Sequence, residues 1–324
     1  MTARPRLVVL DGYTMGQDIS WQALADQGPL TVFDRTAPGQ VLERAAGADV
    51  LLTNKTVLDA ATIHALPDLK CILVLATGYN VVDIAAAAKR GIPVCNVPGY
   101  SPPSVAQHVL SVVLEMFSHT SHHARAVSEG RWSAQPDFCF WDAPVVELAG
   151  KTFGVVGFGA IGQRVAELAH AFGMHVLAFA PRPKPAPAYQ PFAFAGLDEL
   201  FAASDVISLH CPLTADNENL VDARLLGLMK PTARLVNTAR GQLVDEAALA
   251  AALTAGRLGG AALDVVRVEP IQPGNPLLSA PNCLLTPHVA WASQEARTRL
   301  MAGVAANLAG FLAGQPQNVV NKIS

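Results

Sequence analysis

The sequence has little cysteine, and nothing arranges what it has. Cys71, Cys95, Cys139, Cys211 and Cys283 are odd in number and widely spaced, with neither CxxC nor a zinc-ligand spacing. A disulfide framework and a metal centre are therefore not expected, and a reduced, cytoplasmic protein is. Long apolar runs are also missing: none reaches the roughly 18 to 20 uncharged residues that cross a bilayer. The N-terminal run Leu7-Val8-Val9-Leu10 stops at Asp11, too short for a signal segment. Neither sign of charge is in excess. A net charge of -3, from 23 basic and 26 acidic residues scattered along the chain, gives nucleic acid no basic face and a membrane no polybasic patch. No repeat of solenoid period occurs. A small molecule is left as the expected partner.

What is present is a chain of 324 residues, 51% hydrophobic, longer than one ordinary core and enough for two α/β domains. Leu7–Leu10, Val50–Thr53, Cys71–Ala76 and Pro93–Asn96 read as strands alternating with helical stretches, which is βαβ order and predicts a parallel sheet. The break Val97-Pro98-Gly99-Tyr100-Ser101-Pro102-Pro103, followed by a helix over Ser104–His119, marks a domain crossing. Residues 120–150 read as a loop whose Trp132, Phe138, Phe140 and Trp141 exceed what solvent requires, so a partner subunit is expected there. A second series runs through Thr152–Val156, Val176–Ala180, Val206–Leu209, Arg234–Asn237, Gly260–Leu263 and Leu284–Thr286. The helix Ser293–Leu312 and its polar tail cannot fold alone and should return to the first domain. Residues 1–101 with 289–324 then form one domain and 102–288 the other.

Gly157-Phe158-Gly159-Ala160-Ile161-Gly162 lies where a strand ends and a helix begins. Such a turn needs its first glycine for tightness, its second so that backbone can approach a pyrophosphate, and its third for close helix–strand packing. The fingerprint also expects an acidic residue about 20 residues on, to hold the ribose 2′-hydroxyl. Ala180 stands there instead, followed by Arg182 and Lys184. Loss of the carboxylate removes repulsion against a 2′-phosphate, and Arg182 offers a bidentate partner, so NADP(H) is favoured with NAD(H) possible. Both cations would also be ordinary in a solvated loop.

Three segments place polar residues at strand ends: Asn237-Thr238-Ala239-Arg240-Gly241, Asp264 through Glu269-Pro270, and Thr286-Pro287-His288. Reducing a 2-oxo acid puts negative charge on the carbonyl oxygen as hydride arrives, so a general acid must deliver a proton, and His288 is the candidate. Arg240 supplies a permanent cation whose planar fork can hold a carboxylate and polarise a carbonyl together. With the glycine turn, these segments resemble the D-isomer-specific 2-hydroxyacid dehydrogenase family over essentially the whole chain. Leu52-Thr53-Asn54-Lys55, Ala76-Thr77-Gly78-Tyr79-Asn80 and Pro136-Asp137-Phe138-Cys139-Phe140-Trp141 resemble its glycerate dehydrogenase and hydroxypyruvate (glyoxylate) reductase branch.

The resemblance implies two Rossmann-like doubly wound parallel-sheet domains, the substrate domain flavodoxin-like and the other dinucleotide-binding. It implies reduction of hydroxypyruvate or glyoxylate to the D-2-hydroxy acid, with His288 as acid/base, Glu269 tuning it and Arg240 on the substrate. Thr77 and Gly78 would bind the substrate carboxylate through backbone N–H groups, unless they form an ordinary turn. Lys55 would lend charge at the pocket mouth or simply be exposed. Trp141 would pack at an interface or reach a partner's pocket in a homodimer. Cofactor contacts are implied for Ser104, Gly157, Gly159, Ala160, Ile161, Gly162, Arg182, the adenine-side wall His210-Cys211-Pro212, Thr238 and Ala239. Asp264 would accept from the nicotinamide carboxamide, or else cap a helix. A dinucleotide-sensing, corepressor-like binding protein and a dehydrogenase of another small 2-oxo acid are the alternatives. Phosphoglycerate dehydrogenase is demoted for want of a regulatory domain, and formate dehydrogenase by Glu269.

Overall fold

The computed structural model describes residues 4–322. The chain forms two compact units, one running to Ser101 and resuming at Ala292, the other spanning Pro102–Trp291.

In the first unit β1 (Leu7–Val9), β2 (Leu30–Val32), β3 (Val50–Thr53), β4 (Cys71–Val74) and β5 (Val94–Cys95) form one sheet in the order β2-β1-β3-β4-β5. Every pairing is parallel, and the 2-1-3-4-5 order is the flavodoxin-like one. β1, β3 and β4 are buried along their whole length, as strands covered on both faces must be, and this makes them continuous apolar runs in the sequence. The helix Gln294–Leu312 belongs to this unit. Its Asn307 donates to Asn96 O at 2.8 Å, and Gly303 lies so close to Val97 that a Cβ would meet that side chain at 2.5 Å. Beyond the helix, Asn321 accepts from Val94 N and donates to Ile92 O.

The second unit contains β6 (Thr152–Val156), β7 (His175–Phe179), β8 (Phe192–Phe194), β9 (Val206–Leu209), β10 (Arg234–Asn237), β11 (Gly260–Leu263) and β12 (Cys283–Leu285). Their order, β12-β11-β10-β9-β6-β7-β8, is all parallel and doubly wound: counted from β6 it is the 3-2-1-4-5-6 order of dinucleotide folds, extended by a seventh strand. One face is covered by the helices Pro102–Ser118 and Ala160–Ala171, with Val109, Val113, Val165 and Ala169 in the core. Among the described residues no helix is long and apolar enough to cross a membrane.

Four expectations change. β2 and β8 are absent from the sequence reading because they are edge strands of three residues, half exposed, without the unbroken apolar run of a central parallel strand. Residues 120–150 are not all loop: Thr120–Ser128 is a helix that buries only Ala126, so it has no apolar stripe to announce it. The helix expected from Ser104 begins at Pro102, since the first turn has no use for the N–H groups that Pro102 and Pro103 lack. The second crossing falls after Trp291 instead of after His288. Ala290 is 3% exposed in the core of the second unit, and Trp291 Nε1 donates back to His288 O at 2.9 Å.

Candidate active site

The strand β6 ends at Gly157, whose φ of +100° no side chain adopts comfortably. A Cβ there would lie 2.5 Å from Cys211 N, and one on Gly162 would lie 2.1 Å from Gly157 O. Gly159, by contrast, caps the helix Ala160–Ala171 with nothing within 4 Å of a Cβ position. The turn is thus closed on its inner side and open where a phosphate would approach the helix N-terminus, at which Gly159 and Ala160 are exposed and Ile161 half-buried. Around it, at the ends of β9 and β10, His210 Nε2 and Thr238 Oγ1 are buried with no hydrogen-bond partner among the described residues. Buried polar atoms normally have one. Glycine cradle, helix end and orphaned atoms together fit a dinucleotide.

Burial pushes His210 down to about 3, so its ring is neutral, and it raises the Cys211 thiol, which removes that residue as a nucleophile. A stability prediction follows for His210. Its folded pKa lies below the ordinary 6.5, so the unfolded chain binds a proton that the folded chain refuses until about pH 3. Stability is therefore complete above pH 6.5 and falls as pH drops through that window, with His210 contributing up to about 1.4 kcal/mol per pH unit. Urea melts of His210→Gln against the parent across this range should show a shallower acid slope. Equal slopes would remove His210 as the cause. Pro212 is exposed, and so are Arg182 and Lys184 beyond Ala180.

Arg240 follows β10, its turn bracketed by Asn237, which donates to Arg240 O at 2.8 Å and accepts from Ala239 N at 2.9 Å. Arg240 is partly buried and donates only to Ala239 O at 2.6 Å, with no carboxylate paired to it among the described residues. A partly buried guanidinium without an anion is a site for one. Gly241 lies against the backbone of 266–267, where a Cβ would fall 1.9 Å from Val266 C; this joins the Arg240 turn to the segment carrying Glu269. Glu269 Oε2 meets His288 Nδ1 at 2.6 Å. The fold thereby links all three expected catalytic residues within one unit. Because Nδ1 is committed to Glu269, Nε2 is the nitrogen left to exchange a proton with substrate.

His288 has a left-handed φ of 54°, and its N–H donates to Asp264 O at 2.8 Å. The Asp264 carboxylate, in a residue 3% exposed, accepts from Thr286 Oγ1 at 2.6 Å, Val289 N at 2.9 Å and Ala290 N at 2.8 Å. The carboxylate thus holds the segment that carries His288. Ser104 acts on the same segment, donating to Ala290 O at 2.7 Å. Asn237 and Thr286 were missed in the sequence because neither stands out from ordinary strand-end residues.

In the first unit, buried Asp11 accepts from Asn54 N at 2.8 Å, Lys55 N at 2.5 Å and Thr56 N at 2.7 Å, fixing the turn after β3 with Lys55 exposed. The turn after β4 is held by Thr77 Oγ1 on Val97 O at 2.8 Å and Asn96 on Thr77 O at 2.7 Å. No backbone carbonyl among the described residues accepts from Thr77 N or Gly78 N. Trp141 is 68% exposed, Phe138 87% and Trp132 50%. Asp142 fastens this segment by accepting from Arg131 and pairing with His122 at 2.7 Å.

Residues 110–290 match the sequence model of the D-isomer specific 2-hydroxyacid dehydrogenase family, NAD binding domain. The chain is 44% identical to a hydroxypyruvate reductase of Blautia hydrogenotrophica, covering 98% of this chain and 100% of that protein. It is 44% identical to a glycerate dehydrogenase of Methylorubrum extorquens, over 87% of this chain and 88% of that one. Its fold resembles an NADPH-dependent glyoxylate/hydroxypyruvate reductase from Sinorhizobium meliloti in complex with NADP and malonate, with a TM-score of 0.82, 29% identity, and coverage of 96% and 94% of the two chains. The cofactor is a nicotinamide dinucleotide, and the chain belongs to the D-isomer-specific 2-hydroxyacid dehydrogenase family.

Proposed function

We propose that this protein reduces hydroxypyruvate, and with it glyoxylate, to the D-2-hydroxy acid. The observation that carries the reading is the His288–Glu269 pair at 2.6 Å, tied through Gly241 to an Arg240 with no anion of its own. A nicotinamide dinucleotide held at Gly157–Gly162 and beside His210 and Thr238 would supply the hydride. Arg240 holds the substrate carboxylate and draws charge onto the carbonyl oxygen, and His288 Nε2 delivers the proton that makes it a hydroxyl. Glu269 keeps the imidazole oriented and stabilises it while it carries that proton. From the first unit, the backbone N–H groups of Thr77 and Gly78 and the charge of Lys55 are the further substrate-binding groups of this reading.

NADPH is the preferred donor in this reading, supported by Ala180 in place of an acid and by exposed Arg182 and Lys184 just beyond β7. Initial rates over hydroxypyruvate, glyoxylate, pyruvate and phosphohydroxypyruvate, each with NADH and NADPH, test substrate and cofactor together. Hydroxypyruvate with NADPH should give the highest kcat/KM, and Arg182→Ala should reduce the preference by about tenfold, the loss of one charge-assisted contact. A kcat/KM for NADH equal to that for NADPH would sink the cofactor claim. Binding of NAD(P)H without turnover of any acid would point to a sensor.

The exposed Trp132, Phe138 and Trp141 support a homodimer, with Trp141 reaching the partner subunit's substrate. Sedimentation should give twice 34.0 kDa, and a monomer at micromolar concentration would exclude it. A reducing, cytoplasmic location suits the free cysteines.

A further inference from the structure

We propose that His108 is a positioning residue for His288, acting through the Thr286 hydroxyl and the Asp264 carboxylate; this rests on His288 being the proton donor. His108 lies in the helix Pro102–Ser118, on the stripe of Val105 and Val112, which are buried in the core. A polar ring on that stripe needs a partner. Its Nε2 lies 3.2 Å from Thr286 Oγ1 and 3.7 Å from Asp264 Oδ1, with the side chain 17% exposed. No Lys or Arg pairs with Asp264 among the described residues, and His108 is the ionisable side chain found beside it.

Hydrogen-bond accounting fixes the direction of the chain. The carboxylate can only accept. The Thr286 hydroxyl has one proton and, at 2.6 Å, gives it to Asp264 Oδ1. Toward His108 that oxygen can then only accept, so Nε2 carries the hydrogen. With Thr286 held this way, the carboxylate is oriented to take Val289 N and Ala290 N, while the Asp264 carbonyl takes His288 N. These bonds hold His288 at a φ of 54°, a conformation that a non-glycine residue rarely adopts without support. Remove the hydrogen on Nε2, and the hydroxyl is free to turn away from the carboxylate that anchors the catalytic segment.

The test compares His108→Leu, which keeps bulk and loses the donor, with Thr286→Val, which keeps shape and loses the hydroxyl. Each should lower kcat for hydroxypyruvate about tenfold or more, the scale of a misplaced catalytic group, with KM and NADPH affinity changed less than about twofold. The double variant should lose no more than the worse single one, because both cut the same chain. His108→Gln places its amide nitrogen the same number of bonds from Cβ as Nε2 and should recover to within about threefold of the parent. Additive losses, or a Gln variant as poor as Leu, would overturn the proposal. Hydrogen exchange at the Val289 and Ala290 amides reads the clamp without turnover and should be at least about tenfold faster in His108→Leu and Thr286→Val. Parental exchange rates there would also overturn it. If the parent enzyme fails to reduce hydroxypyruvate, the proposed function falls while the exchange measurement still decides the role of His108.

Discussion

Replacing His288 by Asn should lower kcat for hydroxypyruvate by about 10²- to 10⁴-fold, the range of a positioned general acid. Asn is the informative replacement. The position has a φ of 54°, and Asn tolerates the left-handed region better than most residues, so the backbone of 286–290 stays in place. The Asn side chain can still meet Glu269, but it has no proton to give at the carbonyl oxygen. NADPH affinity should be unchanged, since the glycine turn and the ends of β9 and β10 lie on other segments of the unit. Fluorescence titration of NADPH beside steady-state kinetics separates the two. A loss in kcat below tenfold would take the acid role away from His288.

Arg240→Lys should be nearly as damaging as Arg240→Ala, each costing about 10²- to 10³-fold in kcat/KM, as for a removed charge-stabilising donor. Charge alone does not explain the need for arginine here. A single ammonium cannot address the carboxylate and the carbonyl oxygen in one plane, whereas the guanidinium fork can. Arg240 has no carboxylate partner among the described residues, and Gly241 and Asn237 keep the turn in shape without its side chain. Stability should therefore change by less than roughly 0.5 kcal/mol, and thermal melts of both variants should overlay the parent's. A lysine variant within about tenfold of the parent would show that charge suffices and that the bidentate reading is mistaken.

Much of the frame was legible from residues because parallel strands covered on both faces must be apolar throughout. Val50–Thr53, Thr152–Val156, Val206–Leu209, Arg234–Asn237 and Gly260–Leu263 therefore appear in the sequence at the bounds the structure gives them. The edge strands β2 and β8 carry no such signature, being short and half exposed. The helix Thr120–Ser128 has no apolar face to reveal it.

The sequence by itself determined the glycine turn and the residue types at the strand ends, because Gly157 and Gly162 answer to local backbone limits and Arg240, Glu269 and His288 to chemistry that few other side chains perform. Tertiary structure decided the geometry of their contacts and supplied the partners of Asp264 and His108. Glu269 reaches His288 across 19 positions of chain, Asp264 binds the turn after β12, and His108 meets Thr286 across 178. A hydrogen bond depends on distance and direction at a few ångströms, and separation along the chain specifies neither. For this reason the hold of Asp264 on the segment that carries His288 was invisible in the sequence.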